Sequence, residues 1–503
     1  MKLTMLLDMA ADGFADRVLI GSSPDGITAA RLAEMADAGA WTIRDSGADA
    51  VVYLAVNGPA FPVALFAAAR AGVPLVPVNY RLGAEQLRAL LANHPRAVGI
   101  ADGAHAQMLR EAGMTVLTPE EWLADTNVAG RGPVPPVDID APAVVIYTSG
   151  TTAAPKGVLL RHENLTAYVF GSVEFASADA EDAALISVPP YHVAAVANTI
   201  TSVYSGRRAV ILEQFTPEQW LQAARRERIT NALVVPTMLS RIIESDADKD
   251  VPTLRAVAYG GAPMPATVIE RALGLWPRVE FVNAYGLTET SSTIAVLGPD
   301  DHRAALVGED PEVRRRLGSV GRVVPGIDLE VRDADNVAVR PGVVGGIWVR
   351  GEQVSAEYAG IGRLVDDRGF FDTRDQGHLD SAGYLFIGGR VDDMIIRGAE
   401  NIAPAEIEDV LLRHPSVVDA VVVGVPDEEW GQRIEAAIVV WPGVEVAVEE
   451  LRNHVRATLR GSKTPDRIVV WSELPRTETG KIVRRHVLDH LLAPDEYETP
   501  SKC

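Results

Sequence analysis

Hydrophobic and polar positions follow two rhythms along this chain, and the change between them marks its organisation. Over the first two-thirds, short continuous apolar runs exchange with segments of helical spacing. Ala50 to Val56 is an apolar run, Ala60 to Ala71 is alanine-rich and helical, and Pro74 to Val78 is strand-like again. An apolar run of that length predicts a strand buried on both faces. Strand, helix and strand joined by short connections predict a parallel βαβ unit. The pattern returns with strands at Arg208 to Leu212, Ala232 to Val235, Leu254 to Tyr259 and Val279 to Val282, and a helix at Pro217 to Arg228. Thr216 as N-cap followed by Pro217 fixes the start of that helix. Near Gly318 the texture changes to short β-rich pieces punctuated by glycine and proline, such as Gly318 to Val331 and Gly345 to Arg350, which predict an antiparallel subdomain. Beyond Arg390 a compact unit follows. It has a helix at Pro404 to His414, strands at Val417 to Val425 and Ile434 to Val440, and a helix at Val446 to Leu459. The expected fold is α/β: a large N-terminal domain over 1–389 with mostly parallel sheets and a β-rich subdomain, a connection at 390–393, and a small α+β C-terminal domain over 394–503.

A chain of 503 residues exceeds one ordinary core, which agrees with more than one domain. Hydrophobic content of 47% with 23% charged residues is that of a soluble globular protein. A net charge of −21 argues against a nucleic-acid partner, since phosphate-backbone binding needs clustered cations. Any anionic substrate must be met by a local site. The one cysteine is Cys503, so disulfides, cysteine zinc sites and a cysteine nucleophile are excluded. A thioester sulfur, if there is one, must arrive on a substrate. Asp8 cuts short the apolar run that begins at Leu3, which leaves no signal-peptide core, and no apolar stretch of roughly 18 residues suggests a membrane span. A cytoplasmic enzyme is expected.

The apolar run Val144-Val145-Ile146 empties into Tyr147-Thr148-Ser149-Gly150-Thr151-Thr152-Ala153-Ala154-Pro155-Lys156-Gly157. Such a loop suits phosphate oxygens: backbone N–H groups point inward together, hydroxyls add donors, and lysine supplies a mobile charge. The nucleoside-triphosphatase pattern is not met, because Pro155 takes the place of its second glycine and Gly157 that of its final hydroxyl residue. Gly260-Gly261-Ala262-Pro263 follows the strand ending at Tyr259, and Asn283 to Thr290 follows the one ending at Val282. Ligands gather at the carboxyl ends of parallel strands, so the loops at 148, 260 and 283 are expected to face one crevice. There, glycines admit a flat base, Tyr285 offers a stacking face, Thr288 can bond a phosphate, and Glu289 can hold Mg²⁺. Taken singly, each has a plain structural explanation, Gly-Gly as a tight turn and Thr-Glu as a helix start; their conjunction does not. His192 in Pro189 to His192 reads either as a satisfied polar residue or as a site residue. Asp375 suits a ribose diol or a turn, and Lys481 a reactive anion or a solvated basic tail.

Together these residues resemble, over essentially the whole chain, the adenylate-forming enzymes that include acyl-CoA synthetases, adenylation domains of peptide synthetases and beetle luciferases. The organisation is most similar to that of stand-alone acyl-CoA synthetases. Thr148 to Gly157 matches the family's phosphate motif and Asn283 to Glu289 its Y-G-x-T-E core. Gly388 to Asp393 matches its G-R-x-D-D hinge, Asn401 to Glu408 its N-I-x-P-x-E-I-E, and Thr477 to Lys481 its T-x-T-G-K. The resemblance implies that the small domain is mobile and rotates about 390–393 between two half-reactions. It implies that Thr148, Ser149, Gly150, Thr151, Thr152 and Lys156 cradle the ATP phosphates. Gly261, Ala262, Asn283, Ala284, Tyr285 and Gly286 would frame the adenine, Asp375 and Arg390 the ribose, and Glu289 the Mg²⁺. Thr288 would contact the α-phosphate, and Lys481 would bridge it to the carboxylate. Asp392 would be the hinge pivot, Gly398 and Ala399 would line the pantetheine channel, and His192 would stand beside the acyl pocket.

The implied activity is that of an ATP-dependent acid–CoA ligase. A carboxylate attacks the α-phosphorus, pyrophosphate leaves, and the CoA thiol then displaces AMP from the acyl-adenylate. Two anions meeting need fixed positive charge, which Lys481 and Mg²⁺ supply. The alternatives are a ligase loading a separate carrier protein, a luciferase-like oxygenase, or a binding protein without catalysis; the presence of Lys481, Glu289 and Asp392 together opposes the last. The candidate acyl walls Val193 to Ala197 and Val234 to Met238 carry no charge, which favours an apolar carboxylic acid over an amino acid. The state of assembly is open, a homodimer included. Three positions depart from the family. Ala153 replaces a loop glycine, Gly346 a common glutamate, and Arg374 the glycine before Asp375.

Overall fold

The computed structural model describes residues 1–127, 132–135, 141–148, 155–397, 400–427, 430–459, 461–477 and 482–492, the side chains of Asp392, Glu400 and Asn401 excepted. Helix Ala60–Ala71 shows why its sequence is alanine-rich: every residue but Arg70 is buried. Helix Ala29–Asp45 packs on it so closely that a Cβ at Gly39 would lie 2.8 Å from the Cβ of Ala67. Strand Ala50–Leu54 is buried at all positions and pairs in parallel with Leu75–Pro77 and Ala97–Ala101. Helix Pro217–Arg226 starts where expected, with the Thr216 hydroxyl accepting the Gln219 N–H at 3.2 Å.

Among the described residues, the strands form two large sheets and three smaller ones. The first large sheet, of nine strands, has at its centre the parallel run Arg208–Ile211, Ala183–Ile186, Asn231–Val234, Ala256–Gly260 and Glu280–Leu287. The second, of eight, has the parallel strands Val144–Thr148, Leu75–Pro77, Ala50–Leu54, Ala97–Ala101 and Thr115–Leu117. One hydrophobic core joins the two, since Tyr53 and Ile146 of one sheet share it with Leu185 and Val257 of the other. An antiparallel sheet of Asp328–Arg332, Gly345–Arg350, Phe371–Leu379 and Leu385–Arg390 forms the expected β-rich subdomain. After it come a 3₁₀ turn at Val391–Asp393 and a separately cored unit. That unit is built on strands Val417–Asp427, Gly431–Val440 and Arg467–Val470 and helices Pro404–Leu412, Val448–Thr458 and Arg484–Leu492. No described helix is long and apolar enough to cross a membrane.

Two stretches differ from expectation. Thr148, Lys156 and Gly157, read as parts of one loop, belong to the paired strands Val144–Thr148 and Lys156–Leu160. The strand expected to end at Val282 runs on to Leu287, so Asn283 to Leu287 are strand residues, not a loop. Ala256–Gly260 pairs with it on one side and Ser292–Leu297 on the other, and these neighbours supply the hydrogen bonds that its own polar sequence did not advertise.

Arg484 holds the C-terminal unit together. Its guanidinium grips the Glu408 carboxylate at 2.5 and 2.9 Å, donates to the Val422 carbonyl at 2.7 Å, and lies 3.6 Å from Asp393 in the turn. Burial disfavours its charge, but Glu408 outweighs that and its pKa is raised. Arg484→Met strands the mostly buried Glu408 and is expected to cost about 3–5 kcal/mol, read as a lower urea midpoint. Arg484→Lys, which keeps the charge but not the fork, recovers only part of this.

Candidate active site

The carboxyl ends of both parallel runs meet at one seam. The buried Asn57 Nδ2, just past Ala50–Leu54, donates at 3.0 Å to the carbonyl of Val188, just past Ala183–Ile186. Tyr80, beyond Leu75–Pro77, meets Tyr191 edge-on at 5.5 Å, and the Tyr191 ring lies 4.6 Å from His192. His192 immediately precedes helix Val193–Ser205, whose first residues Val193 and Ala194 are half-buried.

On the other side of the seam, Tyr259 is in register with Asn283 and Gly260 with Ala284. A Cβ at Gly260 would sit 2.1 Å from the Ala284 carbonyl oxygen, so only glycine allows the two strands to approach. Gly261 then turns away with φ +81°, carrying Ala262 after it. From Val282 to Glu289 every residue is half-buried, as the wall of a crevice should be. The Asn283 amide donates to the Ser319 carbonyl at 3.1 Å. The ladder to Ser292–Leu297 bulges between Tyr285 and Gly286, where a Cβ on Gly286 would lie 1.8 Å from the Ser292 oxygen. Thr288–Thr290 follows as a 3₁₀ turn, not the start of a longer helix. Thr290 pins it, its hydroxyl accepting the Leu287 N–H at 3.0 Å and donating to the Ser292 carbonyl at 2.7 Å.

Asp375 lies within strand Phe371–Leu379, opposite Arg390, and is buried. Tyr285 donates its hydroxyl to one carboxylate oxygen at 2.6 Å, and Arg390 Nε lies 3.3 Å from the other. Burial, then the Asp375 charge, raises the Tyr285 pKa well above that of a free phenol, so the hydroxyl stays protonated. The ring that offers a stacking face is therefore fixed by its hydroxyl. An ionised carboxylate offers about four acceptor sites in all, a chemistry that suits a diol. Arg374 adopts φ +62°, which explains the family's preference for glycine there: an L side chain is strained in that backbone conformation. Gly346 needs no such explanation, since a Cβ would meet only ordinary contacts, the nearest 3.5 Å away.

Thr148 pairs directly with Lys156 in an antiparallel ladder, and Ser149, Gly150, Thr151, Thr152 and Ala153 fall between them in the sequence. Those five, with Gly398, Ala399 and Lys481, lie outside the described residues, as does the Asp392 side chain; Asp392 itself is the middle residue of the Val391–Asp393 turn. Lys156 Nζ is 5.9 Å from the centroid of the Tyr358 ring, and the Tyr358 hydroxyl donates to Glu289 Oε1 at 2.9 Å. Sequence reasoning missed Tyr358, as it missed Tyr80, Tyr191 and the Arg161–Glu357 pair. Strand Glu357–Tyr358 is two residues long and has no periodicity to read. Among the described residues no cluster of three or more His, Cys, Asp or Glu could hold a metal. The donor set suits Mg²⁺ held by one carboxylate, Glu289, together with substrate phosphates, and not a metal cage made by the protein alone.

The AMP-binding enzyme family matches residues 7–359 and its C-terminal domain matches residues 406–481, so this chain belongs to the AMP-binding enzymes. It is 31% identical to an indoleacetate–CoA ligase of Aromatoleum aromaticum, over 96% of each chain. It is 32% identical to a fatty acid–[acyl-carrier-protein] ligase of Streptomyces coeruleorubidus, over 88% of this chain and 86% of that one. Among solved structures, o-succinylbenzoate CoA synthetase from Bacillus subtilis, in complex with its acyl-adenylate, superposes with a TM-score of 0.83 at 26% identity, covering 96% of this chain and 97% of that one. The chain is thus an adenylate-forming ligase that uses ATP, of the acid–CoA ligase type, in the α/β fold expected.

Two outcomes follow from the site. Gly286→Ala forces the bulge apart and is expected to cost about 1–3 kcal/mol, seen as a lower unfolding midpoint together with weaker ATP binding. Desolvation lowers His192 to about 4, and burial, then Lys2 and the terminal amine, lowers His162 to about 4. The unfolded values lie near 6.5, so the unfolded chain binds more protons between pH 4 and 6.5. Stability is therefore complete above about pH 6.5 and falls as the pH drops toward 4. His192→Gln should lose less Tm than the parent between pH 7.5 and pH 5.

Proposed function

We propose that this chain is an AMP-forming acid–CoA ligase that activates an apolar carboxylic acid as its acyl-adenylate and transfers the acyl group to CoA in the cytoplasm. The observation that carries this reading is that two tyrosines link its parts, Tyr358 lying by Lys156 and bonding Glu289, and Tyr285, four residues before Glu289, bonding the Asp375 that faces Arg390. In this reading Thr148, Ser149, Gly150, Thr151, Thr152 and Lys156 bind the phosphates. Gly261, Ala262, Asn283, Ala284, Tyr285 and Gly286 frame the base, and Asp375 with Arg390 accepts the ribose. Thr288 bonds the α-phosphate. Glu289 would hold Mg²⁺, which when bound would supply positive charge beside the phosphates.

His192 is uncharged at neutral pH and stands beside the half-buried Val193 and Ala194, which supports an acyl pocket without a charged partner. The relative named for indoleacetate and the one named for fatty acids both act on largely apolar acids, in line with that lining. Lys481 neutralises the carboxylate and α-phosphate as they meet. Residues 1–389 form the large domain and 394–503 the small one; rotation about 390–393, with Asp392 as pivot, then brings Gly398 and Ala399 to the pantetheine arm. The thiol sulfur bonds to the acyl carbon, the carbon–oxygen bond to AMP breaks, and AMP leaves. No enzyme nucleophile takes part.

AMP release with MgATP across fatty, aryl and alicyclic acids, with and without CoA, tests the whole reading. CoA-dependent release with a preferred acid is expected. Adenylate formation that CoA cannot discharge would instead assign the acyl group to a carrier protein, as in the Streptomyces relative. Lys481→Ala is expected to slow adenylation by about 10²–10³-fold while leaving thioester formation from supplied acyl-adenylate largely intact; equal loss of both steps would refute its role. Asp392→Pro should harm chiefly the second step.

A further inference from the structure

Lys156 and Glu289 carry opposite charges and are both assigned to the phosphates, yet in the structure they do not collapse onto each other. One side chain bonds the second and lies near the first. The Tyr358 ring faces Lys156 Nζ at 5.9 Å, while its hydroxyl donates to Glu289 Oε1 at 2.9 Å. Its backbone is equally placed between the two. Tyr358 pairs with Val158 in strand Lys156–Leu160, Ala359 N–H donates to the Gly157 carbonyl at 2.8 Å, and Ala356 N–H donates to the Glu289 carbonyl at 3.1 Å. The neighbouring Glu357 is clamped by Arg161 through two hydrogen bonds of 2.7 Å. The strand that presents Tyr358 is therefore fixed at both ends.

We propose that Tyr358 is a positioning residue for the nucleotide site. Its hydroxyl orients the Glu289 carboxylate by engaging one oxygen and leaving the other to the metal, and its ring supports Lys156 apart from Glu289. A hydrogen bond that orients a ligating carboxylate in this way is commonly worth 10- to 100-fold in metal affinity, while a ring beneath an ammonium stabilises it without neutralising it. The inference rests on the assignment of Glu289 to Mg²⁺ made above.

Tyr358→Phe keeps the ring and removes the hydroxyl. Calorimetric titration of ATP into the full chain, without acid so that no turnover occurs, is run in EDTA and over a series of free Mg²⁺ concentrations. The Mg²⁺ needed for half of the metal-dependent gain in ATP affinity is expected to rise about tenfold, with affinity in EDTA unchanged. In a Glu289→Gln background the same substitution should add nothing. Tyr358→Leu, which also removes the ring, should weaken ATP binding in EDTA as well. An unchanged Mg²⁺ dependence in Tyr358→Phe, or an equal loss of affinity with and without metal, would overturn the proposal. If Glu289→Gln itself keeps the full Mg²⁺ dependence, the metal assignment falls and this proposal with it; if only Tyr358→Phe does, this proposal falls alone.

Discussion

A carboxylate only 7% exposed must find its compensating charge and donors inside the protein, and Asp375 finds them on two other segments. Left alone, a buried charge of this kind costs several kcal/mol. Tyr285, at the end of the parallel run, and Arg390, at the end of the antiparallel sheet, compensate it together. The nine-stranded sheet is thereby tied to the β-rich subdomain beside the proposed nucleotide site. Arg390 is also the last residue before the Val391–Asp393 turn, so the same contact fixes where the C-terminal unit departs. The left-handed backbone at Arg374 persists because its neighbours are pinned: Asp375 N–H donates to the Thr373 hydroxyl at 3.1 Å, and that hydroxyl donates to the Ile347 carbonyl at 2.8 Å.

The protein meets anionic substrates with a net charge of −21, and its answer is local. Positive charge is concentrated at particular atoms, Lys156 on strand Lys156–Leu160 and Arg390 beside Asp375, while His192 is kept neutral by desolvation. Elsewhere arginine serves structure. Arg484 joins a helix, a strand and the turn at Asp393 through one guanidinium, and the planar fork makes that possible where an ammonium would not. Arg161 does the same for Glu357 at the edge of the eight-stranded sheet. Arg390 and Arg161 are thus held by carboxylates at fixed geometry, while Lys156 faces the Tyr358 ring.

Glycine does the opposite work, removing matter where strands must touch. Gly260 and Gly286 sit on adjacent strands at the crevice wall, each where a methyl group would overlap a carbonyl oxygen of the neighbouring strand. The Glu289 turn lies immediately beyond the second of them. Its position is therefore set by a backbone approach as much as by any side chain.

What the sequence determined by itself was whatever is local. The helix at Ala60–Ala71, the Thr216 cap, the parallel strand and helix alternation and the separate C-terminal unit were all legible, because periodicity, caps and turns are written in neighbouring residues. The resemblance likewise named Lys156, Glu289, Asp375 and Arg390 as expected site residues before any geometry was known. Only the tertiary structure made Asn283 to Leu287 a strand, since the hydrogen bonds that extend it come from Ala256–Gly260 and Ser292–Leu297. It alone brought Tyr358 near both Lys156 and Glu289, and it alone lowered the His192 pKa by taking the ring out of water. Those outcomes depend on which distant segments become neighbours and on how much water they exclude, and neither quantity is carried by any short stretch of chain.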